Sequence, residues 1–198
     1  MAYHGYIPGM KGYLSEITHP RVLEIGLDRG VTTIPVIAFM TRFHKTFDFL
    51  GIDVLLQESL IITLNNLDLK QGHNVSLKQK NSLEEIPEIV KRGEKFDLVL
   101  IDGDHNYYTV AEELRHLNDI THDKSLVIID DYEGRWSEKD LWYSDREEYK
   151  KVEIATKSIT TDKHGVKPAV DEFLDSNPQW FKSAPIHGEP VVLSKRKL

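Results

Sequence analysis

Four short apolar segments that end in glycine or aspartate constrain this chain more than any other feature. They are RVLEIG at 21–26, FDFLGID at 47–53, FDLVLID at 96–102 and SLVIIDD at 125–131. Short runs of this kind, apolar on both faces, are the mark of strands buried inside a parallel sheet. Helical spacing fills the intervals. VTTIPVIAFMTRFH follows Gly30, with Pro35 in its first turn, where a missing N–H does least harm. ESLIITLNNLDLKQG runs to a stop at Gly72, LEEIPEIVKRGEK is helical at its far end, and Val110, Leu114 and Leu117 recur on one helical face. NVSLKQKNS adds a short alternating strand. GVKPAVDEFLDSN reads as a further helix, and WFKSAPIHGEPVVLSKRK as two strands around His187-Gly188. The pattern predicts an α/β fold: a doubly wound, mainly parallel, seven-stranded sheet with a C-terminal antiparallel hairpin. Residues 1–198 read as one domain. Residues 1–20 form a Gly/Pro-punctuated lead-in loop, with Tyr3, Tyr6 and Tyr13 packing on something. Residues 132–163, rich in charge and carrying Trp136, Trp142, Tyr143 and Tyr149, read either as a lid over a substrate or as a helical surface excursion.

Composition narrows the partners. The net charge is −7, and the only basic cluster is the terminal SKRKL, so no nucleic-acid partner is expected. No run of about 18 apolar residues exists to span a bilayer. The chain has no cysteine, in keeping with a reducing, cytoplasmic location. The expected partner is a small molecule, with homo-oligomerisation left open.

In such sheets ligands bind just beyond the carboxyl ends of the strands, and the informative residues lie there. Glu24-Ile25-Gly26-Leu27-Asp28-Arg29-Gly30 leaves the first strand and opens a helix. Glycine lets the backbone turn sharply and approach a ligand, although the spacing is not the dinucleotide fingerprint. Asp53 ends the second strand, where an acid can accept both hydroxyls of a ribose or cap the next helix. Asp102, Asp104, Asp130 and Asp131 follow the third and fourth strong strands. Neighbouring carboxylates repel one another unless a cation joins them, and an all-oxygen donor set favours Mg²⁺, Mn²⁺ or Ca²⁺.

VLEIGLDRG, GIDV, FDLVLIDGDHNYYTVAEELRHL, LVIIDDY and GVKPAVDEFL together resemble a class I S-adenosylmethionine-dependent methyltransferase. The resemblance runs over about residues 20–175. It is nearest to the metal-dependent sugar and antibiotic O-methyltransferases, and IDGDHNY with DDY is its most specific part. It implies a Rossmann-like sheet and a cofactor loop of Glu24, Gly26, Leu27, Asp28 and Gly30. It further implies ribose contact at Asp53, an adenine flanked by Asn81 and Ser82, and Asp102 beside the cofactor. Metal ligation falls to Asp102, Asp130 and Asp131. The base that deprotonates an acceptor hydroxyl is Asp104 or His105, with the intrinsic pKa favouring histidine. Two positions depart from the family pattern. Asp28 replaces a small residue in mid-loop, and Asn81 stands where many relatives carry aspartate. The competing readings are a Mg²⁺-dependent phosphatase-like hydrolase using Asp102 and Asp104, and a non-catalytic cofactor-binding subunit.

Overall fold

The computed structural model describes residues 7–183 and 190–196. Seven strands form one sheet: β1 (Arg21–Ile25), β2 (Phe47–Asp53), β3 (His73–Gln79), β4 (Phe96–Ile101), β5 (Thr121–Ile129), β6 (Trp180–Lys182) and β7 (Val191–Lys195). Their order is β3-β2-β1-β4-β5-β7-β6. The first five run parallel, whereas β7 is antiparallel to both β5 and β6. The expected doubly wound sheet and its C-terminal antiparallel pair are therefore present. The His187-Gly188 turn, Tyr3, Tyr6 and the last two residues of SKRKL lie outside the described residues.

Consecutive strand residues point to opposite faces, so each buried strand feeds two cores. Leu23, Ile25, Leu50, Ile52, Val99 and Ile101 meet α4 (Ser82–Lys91), α5 (Tyr107–Arg115), α6 (Leu117–Ile120) and α7 (Val166–Ser176) on one face. Val22, Phe47, Phe49, Leu98 and Leu100 meet α1 (Ile7–Ser15), α2 (Thr33–Phe43) and α3 (Glu58–Asn65) on the other. In α2, Thr33, Val36, Ile37 and Met40 are buried at helical spacing.

Three expectations change. The lead-in is not all loop: α1 buries Met10 and Leu14, an i, i+4 pair, against α2. Gly9 and Gly12 disguise it by their poor helix propensity. The helix after Glu58 stops at Asn65, where the Asn66 amide turns back to the Ile62 carbonyl (2.9 Å). Gly72, at φ 92°, shapes the entry to β3 instead. Helix α4 begins at Ser82 rather than late in its segment and runs through Pro87. An interior proline costs about 3 kcal/mol. Burial of Ile86 and Ile89 offsets it at about 1.5–3 kcal/mol each, and Asn81 caps the first turn.

The strand ends form a staircase. Gly26 N–H donates to the Ile52 carbonyl (2.9 Å), Asp102 N–H to Ile25 (2.8 Å) and Asp130 N–H to Ile101 (3.0 Å). Backbone bonding thus sets the tips of β2, β1, β4 and β5 side by side, at the point where chain order reverses between β1 and β4. Residues 132–163 contain no α-helix. They fold as turns around a 3-10 turn at Tyr143–Asp145. Among the described residues no helix is long and apolar enough to cross a membrane.

Candidate active site

A pocket opens over the staircase, and Gly26, Asp28, Asp53, Asn81, Ser82, Asp102 and Asp104 line it. That brings together seven of the residues expected from sequence, drawn from four strand ends. Its remaining walls include Thr109 of α5 and, from the 132–163 excursion, Tyr143, Tyr149, Ala155 and Thr156. The tryptophans of that segment do other work. Trp142 is buried and stacks on Tyr108 at 6.4 Å, and Arg135 lies over Trp136 at 4.8 Å.

The loop after β1 is held by one carboxylate. Asp53 Oδ2 accepts the N–H groups of Leu27 (2.7 Å) and Asp28 (3.1 Å), and its Oδ1 accepts that of Leu55 (2.9 Å). The next helix starts only after Gln57, so Asp53 organises the loop and its own turn rather than that helix. Leu27 is buried beneath the loop over Gly51. Gly26 has φ 83°, and a Cβ there would sit 2.1 Å from the Asp102 carbonyl oxygen. The glycine is required for β1 to pass under the tip of β4. Gly30, at φ 80°, faces Leu60 and Ile34 and serves helix packing instead.

Glu24 does not reach the pocket. It lies in a smaller cavity of about 240 Å³ with Thr32, Asp102 and Asp130. Burial pushes its carboxyl up to about 8, partly offset by a bond from Thr33. Glu113, beneath Ser82, is also raised to about 8 by burial, and its Oε1 accepts the Ser82 hydroxyl (2.6 Å). Both acids are neutral in the fold at pH 7 and charged once unfolded. Between their ordinary value of 4.5 and about 8 the folded state keeps a proton that the unfolded state releases. Stability must therefore fall as pH rises through that window, by up to about 1.4 kcal/mol per pH unit for each acid. Glu113→Gln is expected to flatten that decline, measured by urea unfolding at pH 5, 6.5 and 8. An unchanged slope would show that Glu113 ionises normally.

Beside the pocket, one ligand atom each from Asp102, His105 and Asp130 lie within 4.8 Å of one another. His105 is buried, with Nε2 3.7 Å from Asp102 Oδ1 and Nδ1 3.6 Å from Asp131 Oδ2. Burial lowers its pKa to about 4, so the ring is neutral. The Asp102 carboxyl is pushed well up by burial, by the charge of Asp130 and a hydrogen bond with it, and by the charge of Asp131, while its Oδ1 has no hydrogen-bond partner. A buried, unpartnered oxygen among like charges fits a cation. Asp131 stays beside His105 but is also bonded to the turn that follows. Its backbone has φ 55°, and its carboxylate accepts N–H groups from Arg135 and Trp136 in the turn that follows. Asp104 projects into the pocket, raised to about 6 by burial while its Oδ1 accepts the Tyr143 N–H (2.8 Å).

This architecture, a β3-β2-β1-β4-β5-β7-β6 sheet with acid-bearing strand tips around one pocket, is that of the class I methyltransferases. Residues 23–132 match the family model for a methyltransferase domain, and the chain belongs to that family of S-adenosylmethionine-dependent enzymes. That match favours the methyltransferase reading over the hydrolase one. No curated protein matches the chain in sequence. Among solved structures it is similar to MycE, a methyltransferase of mycinamycin biosynthesis seen with Mg, S-adenosylhomocysteine and mycinamycin VI. That likeness has 16% identity and a TM-score of 0.57, over 96% of this chain and 49% of MycE. The chain thus spans about half the length of MycE. It is also similar to CalS11, the calicheamicin methyltransferase (12%, TM-score 0.61, 95% and 76% covered). A Clostridium thermocellum protein assigned as an rRNA methylase has the same fold (13%, TM-score 0.56, 96% of both chains). These likenesses establish the fold and leave the acceptor open.

Proposed function

We propose that the protein methylates a hydroxyl group of a small molecule, assisted by a divalent cation held by Asp102, His105 and Asp130. The observation that carries this is the convergence of those three side chains at the edge of the pocket, with Asp102 Oδ1 buried and unpartnered. The magnesium in MycE supports it by analogy. The assignment revises the sequence expectation in one respect. Asp131 Oδ2 lies 3.6 Å behind the His105 ring, beyond hydrogen-bond distance, and His105 takes its place as ligand. A bound cation would lower the pKa of an acceptor hydroxyl and fix its orientation.

The chain's own residues divide the remaining work. The loop at Gly26–Asp28, held by Asp53, receives the nucleoside end of the cofactor, and Ser82 borders its base. Asp104 is the better placed base. It lines the pocket, whereas His105 does not, and about 6 exceeds about 4. Aligning nucleophile, methyl carbon and sulfur supplies much of the rate. A nitrogen in the donor set suits Mn²⁺ at least as well as Mg²⁺. Transfer of labelled methyl from S-adenosylmethionine to a panel of sugars and phenols should vanish in EDTA and return with either ion. Full turnover in EDTA would remove the metal from the mechanism.

A further inference from the structure

We infer that Asn81 is a latch that holds residues 141–157 against the cofactor pocket and sets how fast the spent cofactor leaves. The inference rests on the pocket being the S-adenosylmethionine site, as proposed above. Asn81 Oδ1 accepts the Leu83 N–H (2.9 Å) and caps α4, which fixes which end of the amide is which. Its Nδ2 then donates to the Ile154 carbonyl (2.8 Å) and to Thr156 Oγ1 (3.0 Å), more than 70 residues away in sequence. Both N–H donors of the amide are committed to the cover.

The other end of the cover is pinned separately. Leu141 N–H donates to the His105 carbonyl (2.9 Å) and Tyr143 N–H to Asp104 (2.8 Å). Between the pins, Tyr143 and Tyr149 pack edge to face at 5.0 Å and form one wall of the pocket. The outer side, from Asp145 to Glu148 with Lys150 and Lys151, is exposed. Trp142, Tyr149 and Ala155 are buried and give the cover its apolar footing, and the clamp at Asn81 ties its far end, at Ile154 and Thr156, to the start of α4.

Aspartate at this position would cap α4 equally well but would turn a second carboxylate oxygen, rather than two donors, toward the Ile154 carbonyl. Asn81→Asp is therefore a near-isosteric way to open the clamp without unfolding the helix. We expect S-adenosylhomocysteine to dissociate about tenfold faster from this variant in stopped-flow displacement, the scale of one or two lost hydrogen bonds. Trypsin should cut at Lys150 and Lys151 several-fold faster in the same variant, with or without ligand, at a melting temperature close to that of the wild type. Thr156→Val, which removes one of the two bonds, should move both rates in the same direction by less. Wild-type dissociation and cleavage rates in Asn81→Asp, or tighter binding, would overturn the latch. A wild-type enzyme that fails to bind S-adenosylhomocysteine would overturn the cofactor reading instead. Cleavage rates without ligand would then still decide whether Asn81 holds the cover.

Discussion

Asp130→Asn is expected to lose divalent-cation binding and about 10²–10⁴-fold in kcat/KM, while its metal-free form becomes more stable than the wild type. The two effects share one cause. Burial first, and then the neighbouring charges of Asp130 and Asp131, hold the Asp102 carboxyl well above its ordinary range. Removing the Asp130 charge relieves the repulsion without changing shape. The same change deletes a ligand from the Asp102–His105–Asp130 group, and a Lewis-acid contribution of several kcal/mol goes with it. Thermal unfolding in EDTA should show the variant melting above the wild type, and adding Mn²⁺ should reverse the order. A variant that melts below the wild type in EDTA would mean that Asp130 serves the fold rather than a cation.

Gly26→Ala is expected to destabilise the protein by about 2–5 kcal/mol. A left-handed residue with a Cβ costs about 1–2 kcal/mol. Steric conflict with the Asp102 carbonyl oxygen and the Gly103 nitrogen, at 2.1 and 2.6 Å, adds about 1–3 kcal/mol. For a chain of this length, each kcal/mol lowers the melting temperature by about 2–4 °C. Gly93→Ala is the control, because Gly93 shares the positive φ (67°) but has nothing within 4 Å of the added carbon. Its loss should stay near 1 kcal/mol. The contrast matters for function as well. From sequence, a bulky residue at Gly26 should only block the cofactor. The contact with β4 makes that loop part of the sheet's own packing, so binding and folding fail together. Equal losses at Gly26 and Gly93 would show that the close passage of β1 under β4 does not exist.

The parts of the molecule governed by local pattern were legible in the sequence. Apolar runs gave the strands, their terminal residues gave Gly26, Asp53, Asp102 and Asp104, and these converge on one pocket as strand-tip logic requires. What escaped depends on contacts distant along the chain. Residues 132–163 have no periodicity because they are pinned from outside. Asp140, for example, takes the N–H groups of Tyr107 (3.0 Å) and Gly165 (2.8 Å). The aromatic content of that segment left a lid and a surface excursion both open, and which rings face the pocket was not readable: Tyr143 and Tyr149 do, and Trp142 packs on Tyr108. The direction of Asp131 follows from one left-handed backbone angle that the Asp-Asp pair does not announce. Asn81 shows the same limit. It lines the pocket as expected, but that its amide also caps a helix and bonds residues 154 and 156 was not readable from its place in the family pattern.

Calorimetric titration of Mn²⁺ and of Mg²⁺ into protein saturated with S-adenosylhomocysteine, with Asp130→Asn run in parallel, decides whether a cation binds beside the cofactor at the tips of β4 and β5. One site per chain in the wild type, absent from the variant, is expected. Cofactor binding with no metal uptake in either protein would remove the cation and leave a metal-independent methyltransferase.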